Sequence, residues 1–403
     1  MHKWVWLASG VIASCSTVLW AQDFNARAPH GAEQQPAFAQ QTRAPLIQDQ
    51  TQLLTQVVAE GLEHPWGMTQ LPDGRWLVTE RPGRLRLITA SGQVSEPIQG
   101  LPEVDARGQG GLLDVVVKPD FTKTRQLWWS YAEPRGSGKN ATAVATGYLS
   151  ADERTVQEVR VIFQQQPAWD STLHFGSRLV FDAQGKLFVT TGERSVRSAR
   201  GLAQDLTTHL GKVLHIDPQG GASTKAPIAP QALPEIWSYG HRNIQAAALD
   251  QAGQLWTIEH GPRGGDELNQ PQRGLNYGWP IISYGTEYTG FDVGKGLTAQ
   301  EGMEQPVYYW DPVIAPSGMS FYEHDLFTGW RHSLLVGALA GQALVRLTIE
   351  NGRVVGEARY LQGWARIRDV AVAEDGSVMV LTDAKNGALV RLRPDDRQLD
   401  QKP

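Results

Sequence analysis

One short pattern recurs six times along the chain: a glycine or other small residue, an apolar stretch, a tight turn of Asp-Gly type, then a second apolar stretch. The copies open at Gly67, Gly111, Ser177, Ala247, Gly318 and Val370. Their turns fall at Asp73-Gly74, Asp120, Asp182 to Gly185, Asp250 to Gly253 and Asp375-Gly376, with a degenerate turn in the fifth copy. Strand, turn and strand repeated at intervals of roughly 45 to 75 residues mark a β-propeller, in which each repeat is one blade. The reading is an all-β, six-bladed β-propeller over residues 51–393. A propeller gathers equivalent positions of every blade around one channel. The polar residues leading into the inner strands should therefore converge: Gln109, His174, Arg242 with Asn243, and Arg366 with Arg368. A histidine, a glutamine and three guanidinium groups around a funnel suit a planar, polyanionic ligand held beside a base.

Composition narrows the remaining choices. At 403 residues, with 41% hydrophobic and 20% charged residues, the chain fits one repeat domain. A formal net charge of −5 argues against a nucleic-acid partner, which needs a basic face. Lys3 followed by the apolar run from Trp4 to Trp20, with Ala21 as a cleavage position, reads as an export signal over residues 1–21 and a periplasmic destination. Ser14, Cys15, Ser16 and Thr17 interrupt that run, so no transmembrane segment is expected. Cys15, the single cysteine, also stands in an Ile-Ala-Ser-Cys context that resembles a lipoprotein processing site, although Val18-Leu19-Trp20 is unusually apolar for one. With one cysteine no intrachain disulfide can form. Residues 22–50 are rich in Gln, Ala and Pro without apolar periodicity and read as a flexible leader, and residues 394–403 as a disordered tail.

Three segments carry chemistry. His174 opens the third copy, and the Asp182–Gly185 turn should return Glu193 to it, giving a base and an orienting carboxylate. Taken alone, such a histidine is more often structural. Glu259-His260-Gly261-Pro262-Arg263-Gly264-Gly265-Asp266-Glu267 combines carboxylates with a glycine-rich turn, as a Ca²⁺ site does, and a solvated acidic turn reads equally well. Arg366 and Arg368 alternate along an extended segment, fit to hold a carboxylate or else to be neutralised by Asp369. Trp279 and Trp310, in apparent loops, are candidates for stacking on a ring.

Gly-Gln109-Gly-Gly-Leu-Leu-Asp, His174-Phe-Gly-Ser-Arg, Gly-His-Arg242-Asn243, Glu259-His-Gly-Pro-Arg-Gly-Gly-Asp-Glu-Leu-Asn, Asn276-Tyr-Gly-Trp-Pro and Arg366-Ile-Arg-Asp-Val occur in this order. In these motifs, from about residue 53 to 393, the chain resembles the soluble aldose sugar dehydrogenases of the glucose/sorbosone dehydrogenase family, which depend on pyrroloquinoline quinone. The resemblance implies a six-bladed propeller with the quinone over the channel mouth and His174 as proton acceptor. It implies that Gln109, Arg242, Asn243, Tyr288, Arg366 and Arg368 contact the quinone. Glu267 and the carbonyl of Tyr277 would hold one Ca²⁺, and the carbonyls of Gly261 and Pro262 a second beside the cofactor. Glu193 stands where the family has an aspartate, and Ala340 where it has a lysine. The expected activity is oxidation of an aldose at C1 to its lactone, with reoxidation by an external electron acceptor; a homodimer is compatible with the sequence. A calcium-dependent propeller lactonase and a non-catalytic sugar- or partner-binding propeller are the alternatives.

Overall fold

The computed structural model describes residues 24–31, 33–49 and 51–395. The export signal, Cys15 and the chain beyond Asp395 lie outside the described residues. Among those described, no helix is long and apolar enough to cross a membrane.

The six copies are six blades. Their inner strands are Pro65–Gln70, Leu112–Val117, Gly176–Phe181, Ile244–Leu249, Pro316–Tyr322 and Ile367–Val372. Each touches the next, and the last returns to the first, closing a ring. Every blade is an antiparallel sheet, three-stranded in blade 1 and four-stranded in the other five. The turn signals act as expected where a positive φ is needed: Gly74 (φ 84°) and Gly185 (φ 74°) close hairpins by bonding back to Leu71 and Asp182. The fifth turn reads as degenerate because residues 323–332 form a longer connection that tucks Phe327 and Trp330 inside, stacked 4.3 Å apart. Hydrophobic clusters fill the wedges between neighbouring blades, for instance Trp129 and Tyr131 of blade 2 with Leu77 and Leu85 of blade 1.

The ring is closed by chain ends. Leu53–Leu62 is the outermost strand of blade 6 and pairs antiparallel with Gly387–Pro394, from Leu53 opposite Pro394 to Leu62 opposite Gly387. The residues before it correct one expectation. Residues 24–31 and 33–49, within the segment read as a flexible leader, lie against blades 4 and 5. Phe24 is buried beneath the Arg359 guanidinium at 3.8 Å. The His30 and Gly31 amides donate to the Asp311 carboxylate at 2.8 Å each, and the Ala44 amide donates to the Tyr308 hydroxyl at 3.0 Å. Asp49 accepts from Arg346 at 2.8 Å, from Trp330 Nε1 at 2.9 Å and from the Tyr360 hydroxyl. Composition misses this because the segment has no periodic apolar face: scattered contacts hold it, among them buried Phe24 and Ala44, backbone amides, and the side chains of Gln41, Arg43 and Asp49.

All six first hairpins carry a register shift at the end nearest the channel mouth. Bulges of this kind re-aim side chains and break simple alternation. Just below, the third residues of the inner strands are Gly67, Asp114, Arg178, Ala246, Gly318 and Asp369. Arg178 meets Asp369 at 2.9 Å and Asp114 at 3.4 Å, with its guanidinium 4.3 Å from the Trp66 ring. The glycines make room for this plug: a Cβ on Gly318 would stand 1.9 Å from Asp369 Oδ1, and one on Gly67 2.7 Å from Asp114 Oδ1. Burial pushes the Asp114 carboxyl up to about 6 despite Arg178.

Candidate active site

Above the plug is a cavity of about 230 Å³. Its lining includes Trp66, Arg81, Gln109, Gln245, Arg366 and Arg368, closed on one side by Asp383. Arg366 and Arg368 do share a site, but the carboxylate between them is not Asp369. Asp383 takes Arg366 at 2.9 Å and Arg368 at 3.0 Å, whereas Asp369 turns down to Arg178. The bulge between Ile367 and Asp369 separates the two roles.

His174 adjoins this cavity through its neighbours. Its amide donates to Gln109 Oε1 at 2.8 Å, and Phe175 and Gly176, which follow it, line the cavity. The residue sits at φ 49°, a left-handed conformation costing about 1 kcal/mol outside glycine, which a surrounding framework has to maintain. Arg194 supplies part of that framework. It donates to the Leu173 carbonyl at 3.1 Å and the Ser171 carbonyl at 2.6 Å, with its guanidinium 3.9 Å from the Phe175 ring. The hairpin through Asp182–Gly185 returns Glu193 as expected, with His174 Nδ1 2.5 Å from Glu193 Oε1. Burial, followed by Arg242, Arg194 and Arg200, holds the imidazole well below its ordinary pKa. Burial pushes Glu193 up to about 7, against the pull of Arg242 and Arg200.

His260 connects the cavity to a second, narrower cleft that it also lines, shared by Arg242, Gly261, Pro262, Glu267, Tyr277 and Trp279. The residues expected to hold calcium are thus brought together. Glu267 is driven well above the ordinary carboxylate range by burial, then by Glu259. Arg242 Nη1 donates to the Gly261 carbonyl at 2.7 Å and to the His260 carbonyl at 2.9 Å, so a cationic group already meets one of the oxygens expected to bind metal. Among the described residues, no cluster of three or more His, Cys, Asp or Glu side chains suits a metal ion. Asn243 Oδ1 accepts from the Gly176 amide and from Gln245 Nε2, both at 3.2 Å, tying blade 4 to the His174 segment.

Tyr288 is not part of this assembly. It is 73% exposed and lines a broad cleft with Arg197, Arg200 and Phe291. Of the two tryptophans read as stacking candidates, Trp279 is buried with Arg200 and Arg242 each 5.2 Å from its ring. Trp310 is blade packing, buried in Tyr308–Trp310 and donating to Glu357 at 3.2 Å.

Four cavity-lining positions escape a reading based only on residues leading into inner strands. Arg81, His260, Leu339 and Asp383 each directly follow the second strand of a blade, after Glu80, Glu259, Ala338 and Thr382, and all four line the cavity. The repeat register contains that signal once second strands are aligned as well as first ones.

Buried donors without partners test whether a planar polyanion fits. Arg242 Nε, Asn243 Nδ2, Arg368 Nε and Trp279 Nε1 are all in this state. Arg368 lines the cavity and Arg242 and Trp279 the adjoining cleft, and unpaired buried donors are costly enough to call for acceptors on a ligand.

Comparison with known proteins agrees with this geometry. The profile of the family described as Glucose / Sorbosone dehydrogenase matches residues 62–391. Aldose sugar dehydrogenase YliI of Escherichia coli is 43% identical over 346 residues, covering 84% of this chain and 92% of its own. The apo-form crystal structure of the soluble aldose sugar dehydrogenase from Escherichia coli superposes with a TM-score of 0.80 at 40% identity, over 85% of this chain and 100% of the other. The PQQ-bound form of aldose sugar dehydrogenase from Streptomyces coelicolor does so with 0.70 at 26% identity, over 85% and 99%. The chain belongs to the glucose/sorbosone dehydrogenase family.

Proposed function

We propose that the protein oxidises the C1 hydroxyl of aldoses to the aldonolactone, using pyrroloquinoline quinone as cofactor and an external electron acceptor. The observation that carries this reading is the His174–Glu193 pair beside a cavity walled by three guanidinium groups, with unpaired donors on Arg368 there and on Arg242 and Trp279 in the adjoining cleft. The family membership and the quinone-bound relative support it. Gln109, Arg242, Asn243, Arg366 and Arg368 would hold the quinone, with Tyr288 reaching it only by movement of its exposed loop. When bound, the quinone supplies an electrophilic carbonyl that takes the hydride and its two electrons. Glu267 and the Tyr277 carbonyl would hold one Ca²⁺, which neutralises a carboxylate otherwise buried beside Glu259. Gly261 and Pro262 offer carbonyls to another ion once Arg242 releases the first of them. An export-type N-terminus supports a periplasmic location. A lactonase would have no use for the arginines around the cavity, which favours the dehydrogenase.

The protein's own part is to prepare a base. With Glu193 ionised, His174 Nδ1–H donates to Oε1, and Nε2 keeps a free lone pair for the C1 hydroxyl proton. With Glu193 protonated, the carboxyl donates to Nδ1 and the proton sits on Nε2, which is then no base. Since the competent state is the ionised one, kcat/KM should rise with pH through about 7 and fall roughly tenfold per unit below it. A profile that is flat or descending between pH 5 and 8 would remove Glu193 from this role.

The reading is tested by adding quinone and Ca²⁺ to apo-protein and following dye reduction with an aldose. No turnover with any aldose, under conditions where the quinone binds, rejects it. The metal assignment has a separate check. Glu267→Ala should shrink the rise in melting temperature that Ca²⁺ gives the wild type, because the ion this carboxylate holds no longer stabilises by mass action. Equal calcium-dependent shifts in both proteins would show that the ion sits elsewhere.

A further inference from the structure

Three guanidinium groups line the cavity, and only two share its carboxylate. Arg366 and Arg368 both engage Asp383. Arg81, from blade 1, makes no ion pair among the described residues. Its hydrogen bonds run to backbone, from Nε to the Gly110 carbonyl at 3.0 Å and from Nη2 to the Gly108 carbonyl. Blade 5 contributes only the apolar Ala315 and Leu339 to the lining. His260 turns its Nε2 to the Pro316 carbonyl at 2.7 Å. Arg263 and Arg346 belong elsewhere. Arg346 is inside blade 5 on Asp49 and the Gly329 carbonyl, and Arg263 lies outside the cavity lining. The cavity therefore carries an excess of positive charge whose unpaired member is Arg81.

We propose that Arg81 is the third cationic wall of this cavity and binds a carboxylate of the bound cofactor together with Arg366 and Arg368. This rests on the reading that the cavity holds the quinone. A guanidinium presents its donors as a planar fork matched to carboxylate, and here two of those donors are fixed on Gly108 and Gly110 beforehand. Arg81 is consequently pre-oriented, losing little side-chain freedom when the anion arrives. Its backbone also accepts the Leu112 amide at 3.1 Å, so the 108–110 turn that presents Gln109 is held from both sides. Burial lowers the Arg81 pKa, opposed by the Asp383 charge, a penalty that a bound anion relieves.

The experiment titrates quinone, at constant Ca²⁺, into wild type, Arg81→Lys and Arg81→Gln, reading binding by tryptophan fluorescence and folding by melting temperature without ligand. Arg81→Gln should weaken binding about tenfold to hundredfold, as loss of a charge-assisted contact does, with Arg81→Lys in between. The trimethyl ester of the quinone separates charge from loop support: its affinity should be the same in wild type and Arg81→Gln. Unchanged quinone affinity in Arg81→Gln overturns the proposal. So does an equal loss for quinone and ester, which would make Arg81 a clamp on the 108–110 turn. Benzene-1,3,5-tricarboxylate is the independent probe. If wild type binds it through Arg81 but does not bind the quinone, the anion site stands and the quinone reading fails. If it binds neither, both fall.

Discussion

His174→Ala retains the quinone but turns over about 10²- to 10⁴-fold more slowly, the usual cost of removing a general base. The expectation follows from position. His174 adjoins the cavity through Gln109, Phe175 and Gly176, while the arginines and Gln109 remain to hold the cofactor. Removing the ring also releases the buried Glu193 carboxylate, so His174→Gln is the better-behaved companion. It can still donate to the carboxylate yet offers no lone pair of comparable basicity. The two variants should be similarly slow at saturating aldose while binding quinone as wild type does. Near-normal turnover in either would remove His174 from the mechanism, whereas loss of quinone binding would recast it as a cofactor ligand.

The largest effect on stability is expected at Arg178. Arg178→Ala leaves Asp114 and Asp369 buried without their shared cation, and breaking a buried pair of this kind costs about 3–5 kcal/mol. The pH dependence has a definite sign. Even with Arg178 present, burial raises Asp114 to about 6 and Asp369 above its ordinary value. Without it both rise further, so folding takes up protons relative to the unfolded chain. The variant's deficit should shrink as pH falls towards 5 and grow as pH rises above the raised pKa values. Urea denaturation at pH 5 and pH 8 measures it. A deficit that is absent, or that grows on acidification, would show that the plug is not held by this charge arrangement.

Much of the fold was legible because the repeat writes itself six times. The small residue, the apolar run and the Asp-Gly turn locate every inner strand. They also bring Gln109 against His174 and Arg366 beside Arg368, as the structure shows. The failures share a cause in local geometry. Asp369, next in sequence to Arg368, is one candidate to neutralise the arginine pair, but it meets Arg178 in the channel, while Asp383, from beyond the second strand, takes both arginines. Arg81 and Asp383 were invisible because only the lead-ins to inner strands were aligned, although the same repeat fixes the ends of the second strands. Trp310 looked like a loop residue since its strand is three residues long. Tyr288 came from family likeness rather than from a pattern, and it stands in a different cleft. Residues 24–31 and 33–49 have no periodicity to read, since what holds them down is supplied by residues such as Asp311 and Tyr308, distant in sequence.

The closing strand pair sets a condition on assembly. Leu53–Leu62 precedes Gly387–Pro394 by five and a half blades of sequence, so the first waits for all of these before its partner exists. Until then the growing polypeptide carries a ten-residue strand with an unmet edge, and contacts of such long sequence separation form slowly. The two segments work as a clasp rather than as two more strands. A chain cut short of Gly387 keeps its six inner strands but leaves Leu53–Leu62 and the outer edge of Val378–Thr382 without their shared partner, two bare edges ready to pair with whatever strand they meet.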